Sequence, residues 1–148
     1  MNKGVESKVN TDSSEAQRPV PPVTEFNAPF VQAALSERLE LAQCDECGSY
    51  VYPHGPVCTE CFSSNLTWTA LSGRGVVRTW VTFHKAYHPY YDDKLPYTCA
   101  FIELEEGPRV ITNLLGVDPT DIFSEMPVVA TYEKFAGVSV VQFMPESE

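Results

Sequence analysis

The chain has 148 residues, 43% of them hydrophobic, and carries twenty acidic against ten basic residues, for a formal charge of −10. Nucleic acids are bound largely through Lys and Arg on the phosphate backbone, so this balance argues against a nucleic-acid partner. No apolar stretch approaches the roughly 20 residues that span a bilayer, so the composition predicts a soluble protein without a membrane partner.

The chain begins with a polar segment, residues 1–25, which is predicted to be a disordered tail. It lacks the apolar run of a signal peptide, and Cys99 lies without a partner in an apolar run, so we expect a cytoplasmic protein. Apolar residues then recur at three- and four-residue spacing between Phe30 and Leu39. This spacing predicts a short amphipathic helix, and the alternation of Leu39 and Leu41 towards Cys44 predicts a lead-in strand, both within residues 26–43.

Two C-x-x-C pairs follow, Cys44 with Cys47 and Cys58 with Cys61. Each pair offers two sulfurs from one tight turn, and two such turns complete the tetrahedral S₄ set that a structural zinc ion prefers. Gly48 stands after the first pair, where such a turn often needs a positive φ. A closed S₄ site leaves no position for water or substrate, so one zinc ion is predicted to organise a ribbon over residues 44–69 and to perform no chemistry.

Two other interpretations use the same four cysteines. Two disulfides suit a secreted domain, but the paired spacing is more typical of a metal site. Iron in a rubredoxin-like electron carrier uses the same S₄ set, and thiolate ligands alone do not distinguish iron from zinc.

Residues 70–148 contain five strand-like segments and no alternation of strands with helices. They are residues 75–84, 97–104, 109–115, 127–135 and 138–144. The first segment alternates, which predicts one shared face for Val77, Thr79, Val81 and Phe83. Five short strands with one longer loop predict a closed barrel of OB type, with an open sandwich as the alternative. The expected fold is mainly β: an N-terminal helix, a rubredoxin-like zinc ribbon and a five-stranded OB-type barrel.

The order of these motifs resembles the zinc-ribbon/OB-fold acyl-CoA-associated proteins over residues 29–145. Three positions depart from the family pattern. Phe62 after the second cysteine pair and Glu125 before Met126 stand where glycine is common, and Thr59 stands where proline is frequent. The matching segments are Pro29-Phe30, residues 39–41, 44–48, 58–61 and 72–75, Pro96-Tyr97, and residues 102–107 and 126–128.

This resemblance implies an accessory subunit that lies beside, or is fused to, a thiolase-superfamily or related acyl-CoA enzyme. Such complexes perform condensation, acyl transfer or retro-aldol cleavage, for example in sterol side-chain degradation. The catalytic residues belong to the partner, so we expect a non-catalytic subunit of a hetero-oligomer that meets acyl-CoA only through the complex. The sequence agrees, because no Ser/His/Asp order, H-E-x-x-H motif or phosphate-binding loop stands out. The alternative is a nucleic-acid-binding ribbon/OB protein, which the scarcity of basic residues disfavours.

The loop of residues 84–97 is rich in tyrosine and histidine. Loops between OB strands often bind ligands, and tyrosine is enriched at interfaces. The loop is therefore predicted either to contact the partner enzyme or the pantetheine arm of its substrate, or to pack on its own barrel. The candidate contact residues are Tyr87, His88, Tyr90, Tyr91 and Tyr97.

Overall fold

The computed structural model describes residues 17–147, and these residues form a mainly β fold with one α-helix. The predicted tail falls mostly on residues 1–16, outside the described part of the chain. No helix between residues 17 and 147 is long and apolar enough to cross a membrane. The elements are α1 Ala28–Leu35, β1 Leu39–Cys44, β2 Tyr50–Val51, β3 Leu66–Leu71, β4 Arg74–Phe83, β5 Tyr97–Leu104, β6 Arg109–Leu114, β7 Pro127–Phe135 and β8 Val138–Pro145, with 3-10 turns at Pro89–Tyr91 and Pro119–Asp121.

Pro29 lies in the first turn of α1, where the fixed φ of proline suits the helix. Asn27 precedes it, but the Asn27 side chain accepts a hydrogen bond from the Thr24 amide at 2.7 Å and does not cap the helix. Ala33 and Ala34 are buried, and Ala34 packs against the same core as the barrel strands. The small residues on this face therefore let the helix lie close to the barrel.

The zinc ribbon is built on a three-stranded antiparallel sheet in the order β2-β1-β3. The third strand was not predicted, and it runs against β1 from Leu66, opposite Cys44, to Leu71, opposite Leu39. The central strand β1 serves two cores. Leu39 and Leu41 belong to the core shared with the barrel, whereas Ala42 and Cys44 belong to a smaller core inside the ribbon.

The remaining strands close into a five-stranded barrel in the order β4-β5-β6-β8-β7, which confirms the predicted OB-type barrel over the open sandwich. Neighbouring strands are antiparallel except β6 and β8, which pair in parallel. Gly75 is required where β4 passes over β5, because a Cβ there would lie 2.5 Å from the Glu103 carbonyl oxygen. The barrel interior includes the fully buried side chains of Val77, Ile102 and Phe143.

A β-bulge in β4 contradicts the prediction of one continuous apolar face. Val77 pairs with Ile102 but Thr79 pairs with Phe101, so one residue of β4 is extra between these pairs. A bulge reverses the inward and outward alternation beyond it. Val77 therefore points into the core, whereas Val81 lies on the outer surface.

His54 lies at the junction of helix and ribbon. Its ring centroid is 4.6 Å from that of Phe30, 5.5 Å from that of Tyr52 and 5.7 Å from that of Trp68. Burial lowers the pKa of His54, and its Nδ1 atom has no hydrogen-bond partner among the described residues. His54 therefore packs among aromatic rings between the helix and the ribbon. It is not among the side chains that cluster as candidate metal ligands.

Candidate metal centre and aromatic surface

The two cysteine turns have the same backbone geometry. The Gly48 amide donates to the Cys44 carbonyl at 2.9 Å, and the Phe62 amide donates to the Cys58 carbonyl at 3.0 Å. Both donors have positive φ, +77° at Gly48 and +62° at Phe62. The second turn therefore holds a phenylalanine in the left-handed conformation that glycine normally adopts, and this side chain is 77% exposed.

The structure brings the four predicted ligands into one cluster, with all four sulfurs within 4.8 Å of one another. Cys44 and Cys61 lie 3.5 Å apart at their sulfurs, as do Cys47 and Cys58. A disulfide bond is about 2.05 Å long, so these are not disulfide pairs. Four sulfurs about 2.3 Å from a central zinc ion are about 3.8 Å from one another, so the cluster fits one tetrahedral ion.

The electrostatics of the cluster also favour a bound cation. A hydrogen bond from Ser49 lowers the pKa of Cys47 to about 6. At Cys61 the Ser63 amide acts in the same direction, but the neighbouring thiols, Cys44 foremost, raise the pKa to about 12. Without a metal, the thiolate form is therefore favoured at Cys47 and disfavoured at Cys61. A dication relieves this competition, because it favours the thiolate form at all four sulfurs.

The tyrosine-rich loop packs its rings into a stack at one end of β5. Tyr97 stacks on Phe83 with centroids 4.9 Å apart and on Tyr91 with centroids 4.3 Å apart. Tyr90 meets Tyr91 edge-on at 4.9 Å. Tyr87 packs edge-on against Phe83 but remains 73% exposed. The loop thus packs on itself while presenting one ring to solvent.

The remaining candidate contact residue, His88, has a local structural role. Its Nδ1 accepts a hydrogen bond from the Tyr90 amide at 3.1 Å, which begins the 3-10 turn Pro89–Tyr91. The structure therefore groups the candidate residues at one place on the barrel, but their part in binding stays a prediction. Tyr87 is the ring best placed to meet another molecule.

An apolar patch that the hydrophobic spacing did not predict lies on the outer face of β4, β5 and β6. Val81 is 51% exposed, Phe101 43% and Ile111 52%. Phe101 pairs with Thr79 on one side and with Ile111 on the other, so the patch crosses three strands. The reversal of alternation at the β4 bulge brings Val81 to this face. Because a bulge is not encoded by hydrophobic spacing, the sequence pattern suggested the opposite.

Cys99 lies in the same outer region, half-buried, and the Asn113 amide nitrogen donates to its sulfur at 3.4 Å. Burial raises the pKa of Cys99. A thiol with a raised pKa is a weak nucleophile at neutral pH. The environment of Cys99 is therefore unsuited to covalent catalysis.

Two family models match consecutive parts of the chain. Residues 31–67 match the ChsH2 rubredoxin-like zinc ribbon domain, and residues 68–133 match the ChsH2 C-terminal OB-fold domain. The chain is also similar to a chain in the solved structure of the Ltp2-ChsH2(DUF35) aldolase, with 32% identity and a TM-score of 0.76. The match covers 85% of this chain and 98% of that one. The ribbon match and the sulfur cluster together confirm the prediction of one structural zinc ion.

Three curated relatives are similar to the chain. A probable enoyl-CoA hydratase alpha subunit of Thermomonospora curvata is 36% identical, with coverage of 78% of this chain and 35% of the relative. The Mycobacterium tuberculosis 3-oxo-4,17-pregnadiene-20-carboxyl-CoA hydratase alpha subunit is 34% identical, with coverages of 67% and 31%. A DUF35 domain-containing scaffold protein of Methanocaldococcus jannaschii is 31% identical, with coverages of 62% and 65%. The chain thus spans about a third of each hydratase subunit.

Proposed function

Because the chain belongs to the ChsH2 family of zinc-ribbon and OB-fold proteins, we propose that it is a non-catalytic accessory subunit of an acyl-CoA enzyme. The proposed partner is a thiolase-superfamily enzyme, a retro-aldolase in particular, since a similar chain occurs in an aldolase structure. The name of the mycobacterial relative points to a steroid-derived acyl-CoA as the substrate of the complex. The scaffold name of the archaeal relative supports a structural role.

The hydratase names of two relatives do not transfer an activity to this chain. The aligned part is about a third of each hydratase subunit. In this chain the four clustered cysteines form a closed site, which leaves no open position for a substrate at the metal. We therefore assign no hydratase activity to this chain and group it with the scaffold relatives.

The observation that carries the proposal is an antiparallel sheet with apolar residues on both faces. A sheet with one solvated face normally alternates apolar inside with polar outside. Here Ala100 and Ile102 fill the inner face of β5, while Phe101 is apolar on the outer face. Contiguous exposed apolar residues mark interaction sites. The outer patch of Val81, Phe101 and Ile111, called the β4–β6 patch below, is thus assigned to partner binding.

The β4–β6 patch continues into the tyrosine-rich loop. Tyr97 begins β5, two residues before Cys99 and four before Phe101, so the three side chains share one face of the strand. Tyr97 is stacked on Phe83, against which the exposed Tyr87 packs. A partner that covers the patch would therefore also meet Tyr87. The proposed interface has an apolar centre flanked by Tyr87, and aromatic residues are enriched in interfaces.

The decisive experiment is co-purification of the tagged chain from its native host, with identification of what is retained. We expect a thiolase-superfamily enzyme. Replacing Phe101 and Ile111 by serine should then weaken the complex about a hundredfold, because interface hot spots are worth roughly 1–3 kcal/mol each. The matched control is Phe123→Ser, an exposed aromatic residue outside the patch. Zinc content and thermal stability should be unchanged in both.

Two results would contradict this assignment. If the patch variant retains a thiolase-superfamily enzyme with undiminished affinity, the β4–β6 patch is not the interface. Retention on a nucleic-acid column that weakens with salt would favour the nucleic-acid alternative. Tyr87→Ala tests the edge of the proposed interface separately. It should lower affinity by a smaller factor than the patch variant, because hot spots cluster near the centre of an interface. It should also leave stability nearly unchanged, because the Tyr87 ring is exposed.

The isolated chain should show no thiolase, aldolase or acyltransferase turnover. Its free thiol outside the zinc cluster, Cys99, is half-buried and has a raised pKa. Activity should appear only when the partner enzyme is present. Turnover by the chain alone that is abolished by Cys99→Ala would show the accessory assignment to be wrong.

A further inference from the structure

One arginine from the N-terminal segment is buried in the end of the barrel. Arg18 lies ten residues before α1, yet its side chain is only 6% exposed. Of the charged residues between 17 and 147, it is the one in the buried class. A buried guanidinium loses its hydration, which is unfavourable unless fixed acceptors replace the water. The pocket around Arg18 should therefore be built to receive it.

Three barrel strands supply the acceptors. Arg18 Nη1 donates to Glu133 Oε2 of β7 at 2.8 Å, and Nη2 donates to Asn113 Oδ1 of β6 at 3.0 Å. In the amide orientation that satisfies both of its ends, Gln142 of β8 accepts from Nη1 at 3.0 Å and from Nη2 at 3.1 Å. The Gln142 nitrogen then donates to Glu133 Oε2 at 3.2 Å. The acceptors thus form a fork that faces both terminal nitrogens.

The tyrosine-rich loop completes the pocket. Tyr90 Oη donates to Glu133 Oε1 at 3.3 Å, and the Arg18 guanidinium carbon lies 5.6 Å from the Tyr90 ring centroid. A cation at this distance over an aromatic face is attracted to it. The surrounding cavity is about 300 Å³ and is also lined by Tyr91 and Leu114. Arg18 thereby connects the N-terminal segment, the loop and three barrel strands.

We propose that this end of the barrel is a guanidinium-binding site, which Arg18 occupies from within the same chain and thereby positions the tyrosine-rich loop. The fork geometry selects a guanidinium over an ammonium group. A planar guanidinium reaches acceptors on two nitrogens at once, whereas an ammonium is a single point with three donors. The site goes beyond the accessory function, and it stands whether or not a partner enzyme binds.

Chemical rescue tests the proposal. Arg18→Ala should lower the melting temperature by roughly 5–10 °C, because the Glu133 carboxylate and two amides lose their partner. Arginine methyl ester should restore part of this loss in a saturable manner, and lysine methyl ester should not. Arg38→Ala is the matched control, since Arg38 is an exposed arginine. Neither ester should act saturably on that variant or on the unchanged protein.

A second substitution tests whether arginine methyl ester acts by binding in the Arg18 pocket. Glu133→Gln keeps the size of the side chain but removes its charge, so adding it to Arg18→Ala should abolish rescue by arginine methyl ester. Zinc content should stay at one per chain throughout, because none of the four clustered cysteines is a partner of Arg18 or Glu133. Equal rescue by both esters, or rescue that survives Glu133→Gln, would overturn the proposal.

A measurement on the unchanged protein covers the case in which Arg18→Ala does not fold. The Arg18 side-chain nitrogens should give separate, slowly exchanging NMR signals, since different acceptors hold Nη1 and Nη2. Glu133→Gln should merge or broaden these signals and shift the Tyr90 ring resonances. Rapidly averaged Arg18 signals in the unchanged protein would contradict a built guanidinium site.

Discussion

The ribbon and the barrel are held together by different forces. The ribbon's own core has four buried residues, and two of them, Cys44 and Cys58, are metal ligands. The larger core has fourteen buried residues, all apolar, from the barrel strands, the connection between β6 and β7, α1 and β1. A core of four residues cannot offset the conformational entropy of its chain, whereas the larger one can. The metal must therefore stabilise the ribbon, and apolar packing the barrel.

The two regions nevertheless share one strand. The strand β1 contributes residues to both cores. Leu39 and Leu41 pack in the larger core, and Cys44 packs in the ribbon core. Tyr52 adds a hydrogen bond from its hydroxyl to the Ile111 carbonyl at 3.5 Å. Unfolding of the ribbon should thus weaken the barrel at this junction without dissolving its core.

The largest effect is expected from Cys47→Ser. It should abolish stoichiometric zinc binding and unfold the ribbon, because structural zinc contributes about 10–16 kcal/mol of binding free energy in small zinc domains. Metal analysis and hydrogen exchange should show zinc lost and β1–β2 unprotected, with β5 and β7 still protected. Cys99→Ser is the matched control and should keep its zinc. Loss of protection in β5 and β7 together with the ribbon would show that the two regions do not fold separately.

Phe143→Ala should destabilise the barrel by about 3–5 kcal/mol, because this fully buried ring would leave a cavity. Denaturant unfolding measures the change, and zinc stoichiometry should remain one per chain while the variant is folded. Phe123→Ala, at an exposed site, should change stability by less than about 0.5 kcal/mol. If folded Phe143→Ala binds less than one zinc ion per chain, the ribbon depends on the barrel core.

Phe62→Gly should stabilise the ribbon by up to about 1 kcal/mol, because it relieves the left-handed φ of +62°. Zinc competition against a chelator reports the ribbon's stability. Phe62→Ala is the informative control, since it removes the ring but keeps a Cβ in the same conformation. If Ala and Gly stabilise equally, removal of the exposed ring, and not backbone strain, is the cause.

The smallest effect concerns acid stability of the barrel. Hydrogen bonds from Arg78 at 2.6 Å and Arg109 at 2.8 Å lower the pKa of Glu103 from 4.5 to about 2. A lowered carboxyl pKa stabilises the fold above the unfolded pKa, and this stabilisation is lost as pH falls from about 4.5 towards about 2. The melting-temperature difference between the unchanged protein and Glu103→Gln should shrink over that range.

Acid also releases zinc by protonating thiolates, so only the difference between variants reports on Glu103. Glu105→Gln, in the exposed turn after β5, serves as the control and should follow the unchanged protein at every pH. A difference that stays constant from pH 5 to pH 2 would mean that the Glu103 charge contributes nothing to stability.

Much of the fold was predictable because its signals are local. The strands Tyr97–Leu104 and Pro127–Phe135 have the bounds that their alternation and flanking turn residues predicted. The departures from the family pattern were also visible in the sequence. Phe62 and Glu125 stand where glycine is common, and both have positive φ in the structure, +62° and +69°. The backbone of each turn is thus retained although its preferred residue is absent.

The sequence by itself predicted the four cysteine ligands and the order of the helix, the ribbon and the five later strands, because residue spacing and turn chemistry act within a few positions along the chain. The strand β3 and the closure of the barrel were decided only by the tertiary structure. Only the tertiary structure decided which residues face outward beyond the β4 bulge, and hence the position of the β4–β6 patch. It also placed Arg18 beside Glu133, 115 residues away. A bulge adds one residue without changing hydrophobic spacing, and an ion pair between distant residues leaves no periodic signal. Both depend on barrel closure, which brings remote segments into contact.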